Sequence, residues 1–434
     1  MKKILIRDAM ILEEAGLVKC HQDIEITDSK ITAVTDTLPN VNFAGEVVDG
    51  HNKLFMPGMT DSHLHTGQQL LRGRVLDTKP IIWTRIMLPF ESRMNSKIMK
   101  LNAQLASLEL ISSGTTSFIE AGSYFMDEAA KVYQDVGLRG ALSFSTMDDQ
   151  NLPQSIRMSA EEAVSYTDNL YNSFDGQGNL SVYYSLRTMN NASDKLIRLA
   201  GEHAKERGTF LQAHMNEYPK EVADFKERTG LTPYEYLDKM GFLDDKFIGA
   251  HSIFLSDKEK ELIKTKKSKI SHSPFSNCGK GVPDTPHLID EAVVIGLGTD
   301  GAAHGGLSMW NEAKIFRSIM NVYYGVQQKK PNIMPANRIF SMILDGGAEL
   351  INQKGQLGKI KPGYTADLIS INLNAPHLIP TGIVTNMLLE SVNANDVCDS
   401  MVAGKWLMRN REFLTIDAEK VEYEANKMVE KIFN

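Results

Sequence analysis

Asp61-Ser62-His63-Leu64-His65 closes a β-rich run that begins at Phe55, and its reading decides the fold. On an extended strand, side chains alternate with a period of two, so His63 and His65 project from the same face. Two imidazoles placed this way suit a joint grip on one metal ion. Seven more strand-like runs follow along the chain, at 115–121, 139–144, 180–186, 209–214, 247–251, 269–272 and 292–299. Helical spacing of apolar residues fills the gaps, as at 95–112, 192–207, 233–239 and 256–264. Repeated β-then-α order predicts a parallel sheet, and eight such units predict an α/β fold of the (β/α)8 TIM-barrel type. An open doubly wound sheet is the alternative, but no Gly-x-Gly-x-x-Gly follows a strand.

In such a barrel the active site lies at the C-terminal ends of the strands. Those ends read His63-Leu-His65, Gln212-Ala-His214, Gly249-Ala-His251, Ser271-His272 and Gly298-Thr-Asp300. Five of the chain's eleven histidines sit there. A single strand-end histidine is ordinarily a satisfied polar side chain, but here several arrive in register. His63 and His65, joined by a third histidine and an aspartate from the ends that carry His214, His251 and Asp300, would make a nitrogen- and oxygen-rich set for one divalent metal, Zn²⁺ first, with Fe²⁺ or Mn²⁺ as alternatives. Glu217, three residues past His214, stands where a general acid could reach a substrate, although it could also simply begin a helix at Pro219. His203 reads as a solvated helix face, and His21, His51, His287 and His377 receive no role.

The chain ends have a different texture. Runs at 3–7, 22–27 and 30–34, with a hairpin turn at Asp28-Ser29, are matched by β-rich runs at 366–371 and 400–408. Both ends are expected to build one small β-sandwich domain from residues 1–55 and 363–434, including a helix over 417–433, beside a barrel of residues 56–362.

Composition excludes several classes. Of 434 residues, 42% are hydrophobic and 23% charged, which is globular and not disordered. The net charge is −7 and the densest basic run, Lys264-Thr-Lys-Lys-Ser-Lys269, reads as a solvated helix end, so no nucleic-acid partner is expected. No apolar run approaches the ~20 residues of a membrane span, and the N-terminus lacks the apolar core of a signal peptide. Cys20, Cys278 and Cys398 are too few and too widely spaced for a disulfide framework, so a cytoplasmic setting is expected.

Taken together, Met56-Pro-Gly-Met-Thr-Asp-Ser-His-Leu-His65, Leu70-Leu-Arg-Gly73, Ser113-Gly-Thr-Thr116, His214-Met-Asn-Glu217, His272-Ser-Pro-Phe-Ser-Asn277, Gly298-Thr-Asp-Gly-Ala-Ala303 and the segment 358–368 resemble the amidohydrolase superfamily. Within it they are similar to the aminohydrolase branch of methylthioadenosine/S-adenosylhomocysteine deaminases, guanine deaminases and triazine hydrolases. The resemblance implies that His63, His65, His214 and Asp300 bind one metal and that His251 orients the attacking water. It implies that Glu217 protonates the ring nitrogen, and that Asp300 takes the water's proton and passes it to the leaving amine. It also implies a homo-oligomer, a dimer or larger.

The expected reaction is hydrolytic deamination of an amino-substituted N-heterocycle of purine, pterin or triazine type. An adenosine-type nucleoside substrate and a chlorohydrolase-like reaction are the alternatives. Nucleoside-handling relatives carry an acid just before a tryptophan in the loop after the first strand. This chain has Ile81-Ile82 before Trp83, and each unpartnered ribose hydroxyl would cost roughly 1–3 kcal/mol. Arg187, at the end of the fourth strand, is similar to an arginine that guanine deaminases carry near this place, which implies a free base or oxo-heterocycle, with Gln68, Trp83, His272 and His304 completing the expected substrate pocket. A two-metal, ring-opening enzyme would need a lysine on the fourth strand, and 180–186 has none.

Overall fold

The computed structural model describes residues 2–37, 42–79 and 81–433. Pro80, in the loop before Trp83, lies outside them. The run read as one strand from Phe55 to His65 is two strands that serve different sheets. Lys53–Pro57 pairs with Lys3–Glu14 on one side and Leu368–Asn372 on the other. Met59–Leu64 instead opens a parallel sheet beside Thr115–Glu120. Gly58 makes the corner: a Cβ there would fall 2.0 Å from Thr116 Oγ1, an approach only glycine permits.

Beyond that corner the strands follow chain order. Met59–Leu64, Thr115–Glu120, Arg139–Leu142 and Leu180–Val182 form one parallel sheet. Tyr184–Thr188, Leu211–Met215, Phe247–His251, Lys269–His272 and Ile295–Leu297 form the next. The fourth strand, expected unbroken over 180–186, divides at Tyr183. The Tyr183 N–H donates to the Leu142 carbonyl at 2.8 Å and the Tyr184 N–H to that of Phe210 at 2.9 Å, so the chain hands over from one neighbour to the next. At the opposite seam the N–H groups of Thr299 and Asp300 donate to the His63 carbonyl at 3.1 and 2.8 Å. Strand order and intervening helices are those of a (β/α)8 TIM-type barrel.

Local sequence explains the helix boundaries. Ser96–Ser113 starts where the Asn95 side chain accepts from the Lys97 and Ile98 N–H groups, and ends at Gly114 with φ 84°. Thr115 then enters the second strand directly. Asp257–Lys266 opens with a reciprocal cap between Ser256 and Glu259.

The sandwich expected from the two chain ends is built as one nine-stranded sheet. Ile4, Ile24 and Ile31 from the N-terminal strands share a core with Leu368, Met401 and Trp406 from the C-terminal ones. Strands far apart in the sheet order can share that core only if the sheet curls over itself. A bidentate ion pair ties it to the barrel: Arg139 Nε and Nη2 donate to Asp367 at 2.8 and 3.1 Å. The C-terminal helix, Ala418–Phe433, packs on Ser96–Ser113 of the barrel, where Phe433 stacks on Phe90. Among the described residues no helix is long and apolar enough to cross a membrane.

Candidate metal centre and active site

Three strands deliver the central cluster. His63 lies on Met59–Leu64 and His65 follows it; His214 lies on Leu211–Met215, and Asp300 follows Ile295–Leu297. All four are buried. His63 Nε2 and His65 Nε2 each lie 3.4 Å from Asp300 Oδ1, and His65 Nε2 lies 3.1 Å from His214 Nε2. Ligands about 2.05 Å from a tetrahedral metal stand about 3.3 Å from one another, which these separations match. Both ring nitrogens of His63 are buried without a hydrogen-bond partner, a costly state that a metal held at Nε2 would relieve for that nitrogen. The four residues therefore form a group able to bind one metal ion.

Electrostatics favour the same use. Burial, reinforced by Arg187, lowers His65 to about 3, and burial holds His214 well below its ordinary value. Both rings are neutral near pH 7 and offer lone pairs. Burial opposes charge on Asp300, yet His304, His63 and His65 around it hold its carboxyl well below the usual range. Asp300 and His251 take left-handed backbone angles, φ 62° and 64°. For non-glycine residues that stores about 1–3 kcal/mol each, as is common at functional sites.

Glu217 and His251 stand beside the cluster. Glu217 Oε1 is 3.8 Å from His251 Nε2 and 2.5 Å from Lys280 Nζ. Burial alone would raise Glu217, but Lys280 and then His251 outweigh it and hold the carboxyl at about 2. His251 Nδ1 lies 3.0 Å from Asn277 Oδ1, and burial lowers the ring to about 4.

A cavity of about 350 Å³ opens onto these groups, a size suited to a small molecule. Its wall includes His65, His214, Glu217 and Asp300, and also Gln68, Trp83, Arg187 and His304. His272, like His63 and His251, is buried and lies off that wall. The helical turn Pro274–Asn277 folds back over it, Asn277 Nδ2 donates to its Nδ1 at 2.7 Å, and its ring meets Phe316 edge-on.

Three further residues escape the sequence reading. Lys280 reaches the site from the loop after the seventh strand. Asn277 ends a quoted motif but shows its partner only in space. Glu91 supplies an acid next to Trp83 after all: Trp83 Nε1 donates to Glu91 Oε2 at 3.4 Å, and Gln68 Nε2 to Oε1 at 2.9 Å. Arg187 Nη2 lies 3.6 Å from the same carboxylate. A π-helical turn at Trp83–Met87 running into Leu88–Glu91 brings the two residues together. The signal was the spacing of eight, which returns to one face of a helix.

Residues 54–407 match the model of the amidohydrolase family, and the chain belongs to that family. It is 33% identical over 413 residues to a 5-methylthioadenosine/S-adenosylhomocysteine deaminase of Thermococcus sibiricus, covering 93% of this chain and 94% of that one. It is 32% identical over 420 residues to a 5'-deoxyadenosine deaminase of Methanocaldococcus jannaschii, covering 94% and 96%. The structure of an adenosine deaminase from Xanthomonas campestris with bound zinc superposes with a TM-score of 0.92 at 23% identity, covering 99% of both chains, a likeness of fold.

Proposed function

We propose that this chain is a metal-dependent hydrolase that deaminates an aminopurine, with an adenosine-type nucleoside as the favoured substrate. The observation that carries it is the joint placement of His63, His65, His214 and Asp300 beside Glu217 on one small cavity. In this reading Glu91, held behind the cavity wall by Gln68 and Trp83, is the buried carboxylate offered to the ribose hydroxyls in place of the acid that Ile81 and Ile82 replace. The names of the two relatives point the same way.

His63, His65, His214 and Asp300 would hold the metal, zinc by the chemistry of the donor set. When bound, it supplies Lewis acidity, lowering the pKa of water from 15.7 to about 7. Asp300 accepts the proton of the attacking water at its carboxylate. His251 keeps a bare Nε2 turned toward the site and orients that water. Glu217 is a carboxylate before reaction, so it accepts the other proton of that water and delivers it to the ring nitrogen beside the attacked carbon, while Asp300 passes its proton to the leaving amine. Trp83 and Arg187 on the wall hold the ring, and the amino group leaves as ammonia. A homo-oligomer in the cytoplasm, without nucleic acid, completes the proposal; the three free thiols support the reducing compartment.

The test is ammonia release by the zinc-loaded protein from 5'-deoxyadenosine, methylthioadenosine, S-adenosylhomocysteine, adenosine, adenine, guanine and a chlorotriazine. Release from nucleosides supports the proposal. Release only from free bases moves the weight to Arg187 and away from Glu91, and release of chloride alone overturns deamination.

A further inference from the structure

The Glu217 carboxylate is linked to Asp300 by two side chains from a third loop. Lys280 Nζ lies 2.5 Å from Glu217 Oε1 and donates to Ser276 Oγ at 2.6 Å. Ser276 Oγ in turn donates to Asp300 Oδ2 at 2.5 Å, and Lys280 Nζ itself stands 3.7 Å from that oxygen. Glu217 comes from the loop after the fifth strand, Asp300 from that after the eighth, and Ser276 and Lys280 from that after the seventh. The Lys280 side chain is 6% exposed, so its charge is withdrawn from water and must be matched by these partners. The arrangement leaves Asp300 Oδ1 to His63 and His65 while Oδ2 is fixed from the other side.

We propose that Lys280, with Ser276 as its relay to Asp300, is a positioning residue that fixes the Glu217 carboxylate for proton transfer. A glutamate carboxylate otherwise turns about its last torsion, and proton delivery needs it held within a few tenths of an ångström of a productive pose. The lysine spans the two acids between which the water's proton and the ring's proton are divided, so one cation sets the spacing of both. This rests on the deaminase proposal above for the role of Glu217, although the geometry does not depend on the substrate.

A double-mutant cycle on the full-length, zinc-loaded protein tests it, with Lys280→Met, Glu217→Gln and the pair. The expected result is a kcat lower by ~10–100-fold in Lys280→Met, the range typical of lost outer-shell support, with KM within about threefold and metal content unchanged. In the Glu217→Gln background the lysine change should cost less than about twofold more, because residues acting as a unit are non-additive. Multiplying losses, wild-type kcat in Lys280→Met, or metal loss from that variant would overturn the proposal. Crystal structures of zinc-loaded wild type and Lys280→Met form the second arm: the Glu217 carboxylate should turn away from its wild-type position, and an unmoved carboxylate refutes the role. If the wild type deaminates nothing, the functional proposal fails while this arm still decides the place of Lys280.

Discussion

Asn277 Oδ1 and His251 Nδ1 are 3.0 Å apart, and the same amide donates through Nδ2 to His272 at 2.7 Å. One side chain thus fixes two rings. Its oxygen requires an N–H on His251 Nδ1, which leaves Nε2 bare and turned toward Glu217. Replacing Asn277 by Leu should lower kcat by ~10–100-fold with metal content unchanged, measured by steady-state kinetics and elemental analysis. Full turnover in Asn277→Leu would show that the tautomer of His251 does not matter.

The metal site makes a stability prediction as well as a catalytic one. Removing both His63 and His65 as alanines should abolish metal binding and reduce turnover to background. For the wild type, a ligand at about 100 times its Kd adds about 2.7 kcal/mol of stability. Zinc should therefore raise the Tm of chelator-stripped wild type and leave that of the double variant unmoved in thermal scans.

If the Glu91 carboxylate serves a ribose, it separates nucleosides from free bases. A hydrogen bond to a charged group contributes about 1.5–3 kcal/mol, so Glu91→Gln should lower kcat/KM on ribonucleosides roughly ten- to hundredfold. On 2',3'-dideoxynucleosides the loss should be small. Equal losses on both would mean that Glu91 serves only to hold Gln68, Trp83 and Arg187.

The tie between barrel and sheet is a buried pair, with Arg139 side chain 11% and Asp367 3% exposed. Asp367 also accepts the Ala403 N–H at 2.7 Å. Asp367→Asn leaves the Arg139 charge without its counterion, and breaking such pairs costs about 3–5 kcal/mol. Urea unfolding should show that loss, while kcat per folded molecule stays near wild type.

Glu120 gives a pH dependence with a definite sign. Burial raises its carboxyl to about 7, although Thr66, Gly122 and Ser123 donate to it. The folded state therefore holds a proton that the unfolded chain releases near its ordinary value of 4.5. Between those values the native state binds more protons, so this group's contribution to stability falls as pH rises, by up to ~3 kcal/mol. Glu120→Gln lacks the titration. Its unfolding free energy should fall less steeply from pH 5 to 7 than that of wild type, and parallel curves would place the native carboxyl near 4.5.

The β-then-α order, the eight strand positions and the cluster of His63, His65, His214 and Asp300 were legible because they depend on local periodicity. Alternation along a strand assigns each side chain to a face, and the barrel brings all C-terminal strand ends to one mouth. What the sequence by itself did not determine lies where separate segments meet. The corner at Gly58 depends on the closeness of Thr116, and the break at Tyr183 on a change of hydrogen-bond partner. Strand position alone does not show that Pro274–Asn277 gives His272 a partner in Asn277. Glu91 follows the first strand and Asn277 and Lys280 the seventh, and each finds a partner on another strand's segment: Arg187, His251 and Glu217. Local chemistry fixed which groups point to the mouth of the barrel. Only the packing of its loops decided which of them touch, because a contact between loops is a property of the closed chain and not of either segment.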